Sequence, residues 1–190
     1  MSKMLWITSS VLAVAFGGLL TVSQVSKSKE PQIGVQHASQ GQAHIKQGQA
    51  HAAYNSDPAS SGPHYNDNSS PAQWGIYTTE ISPEVFLHNE EHGGVIVTYQ
   101  PKLLAPDQLK RLQALFTPPY SNKAFKPAKA IVMPRAKDTQ AIQIASWLYT
   151  LKLDNYNEPT VIKFFNQHAG NAPEPSAGPY NQPINQAAAN

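Results

Sequence analysis

Two histidines four residues apart form the clearest chemical pattern in the sequence. His88 and His92 frame the run His-Asn-Glu-Glu-His, in which Glu91 precedes the second histidine. On a helix, side chains at positions i and i+4 project from the same face about one turn apart, which suits two ligands of one metal ion. Glu91 would lie beside them, where a carboxylate can orient a bound water molecule or act as a base. The spacing therefore indicates a metal site.

A third ligand has to come from elsewhere in the chain. His64 is the best candidate, because it follows a Gly-Pro turn that would present one imidazole from a rigid loop. Three imidazoles with one open position are typical of zinc or copper sites, whereas calcium requires more carboxylates. Met133 is the only methionine beyond the N-terminal segment. It is a candidate axial ligand for copper, and its apolar strand also suits a core residue.

The histidine pair is also compatible with two different roles. The pattern His-x-x-Glu-His occurs in one class of zinc peptidases. That class needs a third acidic ligand from a long downstream helix in a far larger chain, and nothing in this sequence matches that helix. Alternatively, His88 and His92 bond the free carbonyls at the end of their helix, where a positive charge is favourable. His168 fits such a structural role near the end of its own helix, and Glu90 is expected to be solvated.

These side chains need a scaffold, and the sequence predicts its elements. Ser82 is a helix N-cap followed by Pro and Glu, and the pair Gly93-Gly94 ends that helix at His92. The remaining elements follow from apolar periodicity and turn residues. Strands are predicted over 75–79, 95–99, 129–133 and 140–148 (the last also compatible with a helix), and helices over 106–116 and 157–168.

The fold predicted from these elements is α+β. It consists of a small mixed, mostly antiparallel sheet with the helices packed on one face. A long N-terminal loop rich in Ser, Asn, Asp, Gly and Pro covers residues 55–71. A single transmembrane or signal helix precedes the domain.

The first residues predict export. The stretch from Met4 to Val22 is uncharged and long enough to cross a bilayer, which takes about 20 apolar residues. We interpret residues 1–23 as an uncleaved signal anchor or, alternatively, a cleaved signal peptide, although the sequence around Ser23 matches a cleavage site poorly. The expected location is extracytoplasmic, on the periplasmic or cell-surface side, with residues 4–22 anchoring the chain in the cytoplasmic membrane. The expected partners are the membrane and a membrane protein.

The rest of the chain divides by composition. Residues 24–49 form a polar, Gln- and His-rich linker, residues 50–175 the globular domain and residues 176–190 a disordered tail. The linker contains a seven-residue repeat that begins at His37, His44 and His51. A duplicated polar spacer accounts for the repeat, and a loose metal-gathering tract is the alternative.

Composition excludes several classes of function. The chain has 190 residues and no cysteine, which removes disulfides, thiolate metal ligands and attachment of lipid to cysteine. A formal charge of +2 with interspersed signs leaves no basic stripe, so nucleic acid is not an expected partner.

Beyond these separate patterns, an ordered series of motifs resembles one bacterial family, the domain of unknown function 3105. Its hallmarks are similar to Tyr-Asn-x-x-Pro-Pro-Thr-Ser-Gly-Pro-His, Trp-Gly-x-Tyr and Val-His-Asn-Leu-Glu-His-Gly-Gly. The corresponding runs here are 54–64, 74–77 and 87–94, preceded by 41–45 and followed by Met133-Pro-Arg135, Trp147 and 153–154. The series is more specific than His-x-x-Glu-His alone and covers about residues 41–174.

The resemblance implies an exported or membrane-anchored protein with one small domain and no activity assigned to the family as a class. Carried over residue by residue, it implies site residues at the motif positions His44, His64, His88, Glu91 and His92. It thereby adds His44 as a candidate fourth ligand. This sequence departs from the hallmarks at Ala59 and Ser60, at Glu90 in place of an apolar residue, and at Leu148, where a Gly is usual.

The expected function is an extracytoplasmic metal-binding protein that handles or delivers copper or zinc. His64, His88 and His92 would hold the ion, completed by His44 or Met133. One alternative is a metal-dependent hydrolase with the same ligands and Glu91 as the general base. Another is a non-catalytic structural or assembly domain of a membrane complex.

Overall fold

The computed structural model describes residues 30–175 and 185–186. The predicted helix at residues 4–22 lies outside the described residues, as does nearly all of the tail at 176–190. In the part that is described, no helix is both long enough and apolar enough to cross a membrane. All the elements below lie within the unit of residues 32–190.

The described residues form nine short strands and three helices. The strands are Val35–Gln36 (β1), His44–Ile45 (β2), His64–Tyr65 (β3), Gly75–Ile76 (β4), Val95–Tyr99 (β5), Ala130–Pro134 (β6), Ile142–Ser146 (β7), Tyr149–Leu153 (β8) and Asn185–Gln186 (β9). The helices are Pro83–Glu91 (α1), Pro106–Phe116 (α2) and Glu158–His168 (α3).

Seven of the strands form one mixed sheet in the order β1-β8-β7-β5-β6-β4-β9, and β2 pairs separately with β3. Among the first six of these strands, three neighbouring pairs are antiparallel and two are parallel. The strand β9 adds a parallel pair at the edge. The six-stranded part is mostly antiparallel, so the predicted α+β class and mostly antiparallel sheet are confirmed.

The expectation that all helices pack on one face of the sheet is wrong. On one face, Val95 and Val97 of β5 share an apolar cluster with α2 and α3. On the other face, Ile96 of β5 packs with Phe86 and Leu87 of α1. Side chains alternate along a strand, so β5, which is buried along its whole length, needs cover on both sides. A central strand that is apolar throughout is typical of such two-sided burial.

Most predicted elements lie within a residue or two of the observed ones, but the strand β8 was not predicted. It follows β7 after a two-residue turn, Trp147-Leu148, in which Leu148 has φ of 66°. Tight hairpins usually place Asn or Gly at such positive φ angles. Because Leu is not typical of such a turn, the sequence did not indicate the hairpin between β7 and β8.

The segment interpreted as a linker contributes two of the strands. Val35–Gln36 pairs antiparallel with β8 at the edge of the main sheet. His44–Ile45 pairs in parallel with β3. The three repeat histidines therefore have different surroundings. His44 lies on β2 beside β3. Nε2 of His37 lies 2.8 Å from the Thr150 hydroxyl, and Nε2 of His51 lies 3.3 Å from Glu84.

Candidate metal centre

The parallel pairing of β2 and β3 brings two histidines side by side. The register matches His44 with His64 and Ile45 with Tyr65. Partners in a parallel pair project from the same side of the two strands. The rings of His44 and His64 therefore meet, with centroids 5.0 Å apart. The pair β2–β3 thus supplies half of a histidine cluster, and His44 comes from the segment interpreted as a linker.

The helix α1 supplies the other half. His88 lies 5.2 Å from His44, 5.3 Å from His64 and 4.6 Å from His92, measured between ring centroids. Two hydrogen bonds hold the helix in place, since the side chain of Asn89 both accepts from and donates to the backbone of Ala72. The i, i+4 spacing thus does place His88 and His92 together, as the sequence predicts.

Close packing fixes the end of α1. His92 is the C-cap, and Gly93 follows with φ of 81°, a left-handed angle that glycine adopts without strain. A Cβ on Gly94 would lie 2.5 Å from the ring of Trp74 and 2.7 Å from the carbonyl oxygen of Asn89. The Gly-Gly pair is therefore required both for the turn and for this close approach.

Backbone carbonyls orient two of the rings. Nδ1 of His64 donates to the carbonyl of Gly62 at 2.9 Å, and Nδ1 of His88 donates to the carbonyl of Tyr65 at 2.8 Å. In a neutral imidazole with Nδ1 protonated, Nε2 carries the lone pair. Such outer hydrogen bonds select the tautomer of metal-binding histidines. Both rings are therefore set up to bind an ion through Nε2.

Glu91 lies at the centre of the cluster. Its Oε2 atom is 3.1 Å from Nε2 of His64 and 3.3 Å from Nε2 of His44. With Nδ1 of His64 committed to Gly62, Nε2 of neutral His64 would face the carboxylate lone pair to lone pair. A buried arrangement of that kind needs a proton or a cation between the two atoms. This contact therefore requires a positive charge between Nε2 of His64 and Oε2 of Glu91.

His92 has an unusual environment. Its Nδ1 atom is buried without a hydrogen-bond partner, and its Nε2 atom lies 3.6 Å from a carboxylate oxygen of Glu174. The C-terminal segment folds back to allow this, because the backbone N–H of Glu174 donates to the carbonyl of Glu91 at 3.0 Å. A carboxylate beside the outer nitrogen is a common support for a metal-bound histidine. His92 is therefore positioned to bind an ion through Nδ1.

These contacts argue against the alternative role for the pair, in which both rings bond the carbonyls of their own helix. The ring of His88 instead bonds Tyr65, and that of His92 faces Glu174. Burial lowers the pKa of both histidines below the ordinary value. Neutral rings at physiological pH are the form that binds metal.

The ligand atoms are close enough for one ion. They form two overlapping groups, His44–His64–His88 and His88–Glu91–His92, and within each group the atoms lie within 4.8 Å of one another. Zinc–nitrogen bonds of 2.0–2.1 Å place tetrahedral ligands about 3.4 Å apart. Side-chain movements on the order of 1 Å would therefore close either group around an ion.

Met133 is the predicted ligand that the structure does not place in this cluster. It is fully buried in the apolar cluster with Phe86 and Ile131. Its sulfur atom accepts a hydrogen bond from the backbone N–H of Ile81 at 3.2 Å. Ile81 precedes α1, whereas His88 lies in the second half of that helix and His92 caps its end. We therefore assign Met133 to the core.

The loop that carries His64 is anchored by residues that lie in the motif runs but were not predicted as site residues. Arg135 follows β6, is buried, and bonds both Asp138 and Asp57. Asp57 belongs to the loop that leads to His64. Tyr54, at the start of that loop, donates from its hydroxyl to the carbonyl of Pro63 at 2.6 Å. Nothing in the local pattern of these residues indicates that they contact one another.

The sequence also matches a known protein family over most of its length. Residues 44–181 match the model of a family described as a protein of unknown function, DUF3105. The chain belongs to the DUF3105 family. The resemblance read from the ordered motifs is thereby confirmed, and the match begins at His44. No curated protein and no solved structure matches the chain.

The side chain of Glu90, which was expected to be solvated, lies inside the protein. It is fully buried, and neither carboxyl oxygen has a hydrogen-bond partner. Three and four residues before it, Leu87 and Phe86 face the sheet, so Glu90 lies on the same side of α1. It occupies the position at which the DUF3105 hallmark has Leu. Burial raises the pKa of this carboxyl well above its ordinary value of 4.5.

Replacing Glu90 should stabilise the fold. We expect Glu90→Leu to raise the free energy of unfolding by about 1–3 kcal/mol, because an unpartnered buried polar group is removed. Because burial raises the pKa of folded Glu90 above the ordinary value of 4.5, the unfolded chain releases this proton at a lower pH than the folded protein, so this residue lowers stability as the pH rises above about 4.5. Urea denaturation at pH 5 and pH 8 should show the larger gain at pH 8.

The matched control for this substitution is Glu90→Gln, which removes the ionisation but keeps the polar amide. It should give a smaller gain that rises with pH in the same way, because the pH dependence comes from Glu90 of the wild type. Destabilisation by Glu90→Leu at both pH values would show that the carboxyl has a stabilising contact.

Proposed function

We propose that this protein binds a transition-metal ion through its histidine cluster and serves in metal handling or delivery. The observation that carries the proposal is the contact between Nε2 of His64 and Oε2 of Glu91. Both atoms are buried, and Nδ1 of His64 is already committed as a donor. An ion bound to either atom removes the repulsion between the two facing lone pairs, and His88 belongs to the ligand group of His64 and to that of Glu91.

The donor set favours copper or zinc. Four imidazoles and one carboxylate suit these ions, whereas calcium and magnesium bind mainly through oxygen atoms. The chain has no cysteine, so thiolate-dependent sites such as iron–sulfur clusters are excluded. The choice between copper and zinc is left to direct measurement.

Binding is better supported than hydrolysis. In a metal-dependent hydrolase, Glu91 would act as a general base on a bound water molecule. Here Oε2 of Glu91 contacts two imidazoles, and the side chain is only 1% exposed. A carboxylate so enclosed is better suited to charge compensation or ligation than to receiving a proton from water beside a substrate.

We further propose that the domain works outside the cytoplasm. The support comes from the uncharged stretch at residues 4–22, which has the length of a membrane anchor. A membrane protein that gives or receives the ion is the partner that fits this placement. Fractionation of cells that carry the full-length chain, with protease added from outside, tests this proposal. Protection of the domain at residues 50–175 in intact spheroplasts would contradict it.

Metal binding can be tested directly on the full-length protein. After supply of Zn²⁺ or Cu²⁺ and removal of excess ion, native mass spectrometry should show a bound ion in the wild type. His88→Asn should lose most of it, because His88 belongs to both groups of ligand atoms. His51→Asn is the matched control, since that histidine bonds Glu84 outside the cluster. Absence of bound Zn²⁺ and Cu²⁺ from the wild type would refute the proposed function.

A further inference from the structure

The five side chains of the cluster do not form one compact ligand set. His44 and His92 belong to different groups of ligand atoms, and His88 belongs to both. Two nitrogen ligands on opposite sides of one zinc-type ion lie at most about 4.2 Å apart. His44 is on β2, whereas His92 caps α1. One ion is therefore better placed in either group than across both.

The two groups of ligand atoms differ in how far their side chains are exposed to solvent. The side chain of His44 is 40% exposed, whereas those of His64 and Glu91 are 0% and 1% exposed. The side chain of His92 is 10% exposed. His44 is consequently the first ligand that an ion from solvent meets, and the group that contains Glu91 and His92 lies deeper.

The charges around the cluster favour a single ion. Glu91 is the one carboxylate in the two ligand groups. Glu174 adds a half-exposed negative charge beside His92, and the Lys129 ammonium donates to the carbonyl of His92 at 2.6 Å, adding a positive one. The net charge of these three groups is −1, which offsets part of one divalent ion. A second divalent ion in the same enclosed space would be strongly repelled.

We infer that one ion uses two overlapping positions, an outer one held by His44, His64 and His88 and an inner one held by His88, Glu91 and His92. This inference rests on the proposed function. His88 stays bound in both positions, so the ion moves between them without leaving the protein. The inner position has an anionic ligand in a buried setting and retains a divalent ion more strongly. The outer position exchanges the ion with solvent or with a partner past His44.

Ligand deletion separates this arrangement from a single site. Full-length protein is titrated with Co²⁺, whose visible absorption reports its ligands, and the stoichiometry is confirmed with Zn²⁺. We expect one equivalent in the wild type. His44→Asn and His92→Asn should each still bind one equivalent, with different Co²⁺ spectra, because each removes one position and leaves the other. His88→Asn and the double variant His44→Asn/His92→Asn should lose the ion.

Three results would overturn the inference. Two equivalents in the wild type would mean two simultaneous ions. Loss of the ion from His44→Asn or His92→Asn as complete as that from His88→Asn would mean one shared site. Identical Co²⁺ spectra for the two single variants would mean that they keep the same position. No binding of Co²⁺ or Zn²⁺ by the wild type would instead refute the proposed function itself. Circular dichroism checks that each variant is folded. If His88→Asn does not fold, His88→Gln replaces it in the titration.

Discussion

Zn²⁺ should raise the melting temperature of the full-length protein, and His88→Asn should abolish the rise, because His88 belongs to both groups of ligand atoms. The cluster is built from β2, β3 and α1, three segments that are far apart in the chain. A ligand that binds only the folded state at 100 times its Kd stabilises it by about 2.7 kcal/mol. For a domain of this size, that corresponds to roughly 5–10 °C. Differential scanning fluorimetry with and without Zn²⁺ measures the shift.

Removal of the ion and a histidine outside the cluster provide the controls. Addition of EDTA should return the wild type to its metal-free melting temperature. His51→Asn should keep the shift, because its ring lies 3.3 Å from Glu84 and not in the cluster. An equal shift in the wild type and in His88→Asn would show that Zn²⁺ binds elsewhere.

Arg135→Met should destabilise the protein by about 3–5 kcal/mol, because it leaves a buried carboxylate without its cation. Arg135 and Asp138 form an ion pair whose side chains are 2% and 0% exposed. Thr98 also donates to Asp138, so the carboxylate is held from two sides. The pairs of Arg135 with Asp57 and Glu80 are more exposed and should contribute less. Urea denaturation followed by tryptophan fluorescence measures the loss.

The chain offers a close control for this prediction. Lys137 lies 3.6 Å from Glu80, but its side chain is 58% exposed. Lys137→Met should therefore change stability by less than about 1 kcal/mol. The double variant Arg135→Met/Asp138→Leu should recover part of the loss, because it removes both buried charges. Similar losses for Arg135→Met and Lys137→Met would contradict a special role for the buried pair.

The sequence was most informative where a pattern is local. The start of α1 at Pro83 follows from a Ser N-cap and a Pro, and its end follows from Gly93 and Gly94. The strand β5 follows from five consecutive β-branched or aromatic residues. For the same reason, the neighbourhood of His88 and His92 was predictable, since helix geometry alone places them one turn apart.

The sequence was least informative where a contact joins distant residues. Nothing local shows that β2 pairs with β3, and His44 became a candidate only through resemblance to a family. The buried state of Glu90 depends on which side of α1 faces the sheet. The helix is buried on several sides, so its apolar pattern does not mark a single inner face. Met133 was proposed as a ligand for its chemistry, whereas its register on β6 directs it into the core.

By itself, the sequence indicated histidine as the main candidate ligand, the spacing of two of these histidines and the absence of thiolates, because these depend on composition and on the period of one helix. Only the tertiary structure decided the rest. The parallel register of β2 and β3 places His44 beside His64. The carbonyls of Gly62 and Tyr65 direct the Nε2 lone pairs of His64 and His88 toward the cluster. The physical reason is that pairing and orientation arise from contacts between segments distant in sequence, which no local pattern encodes.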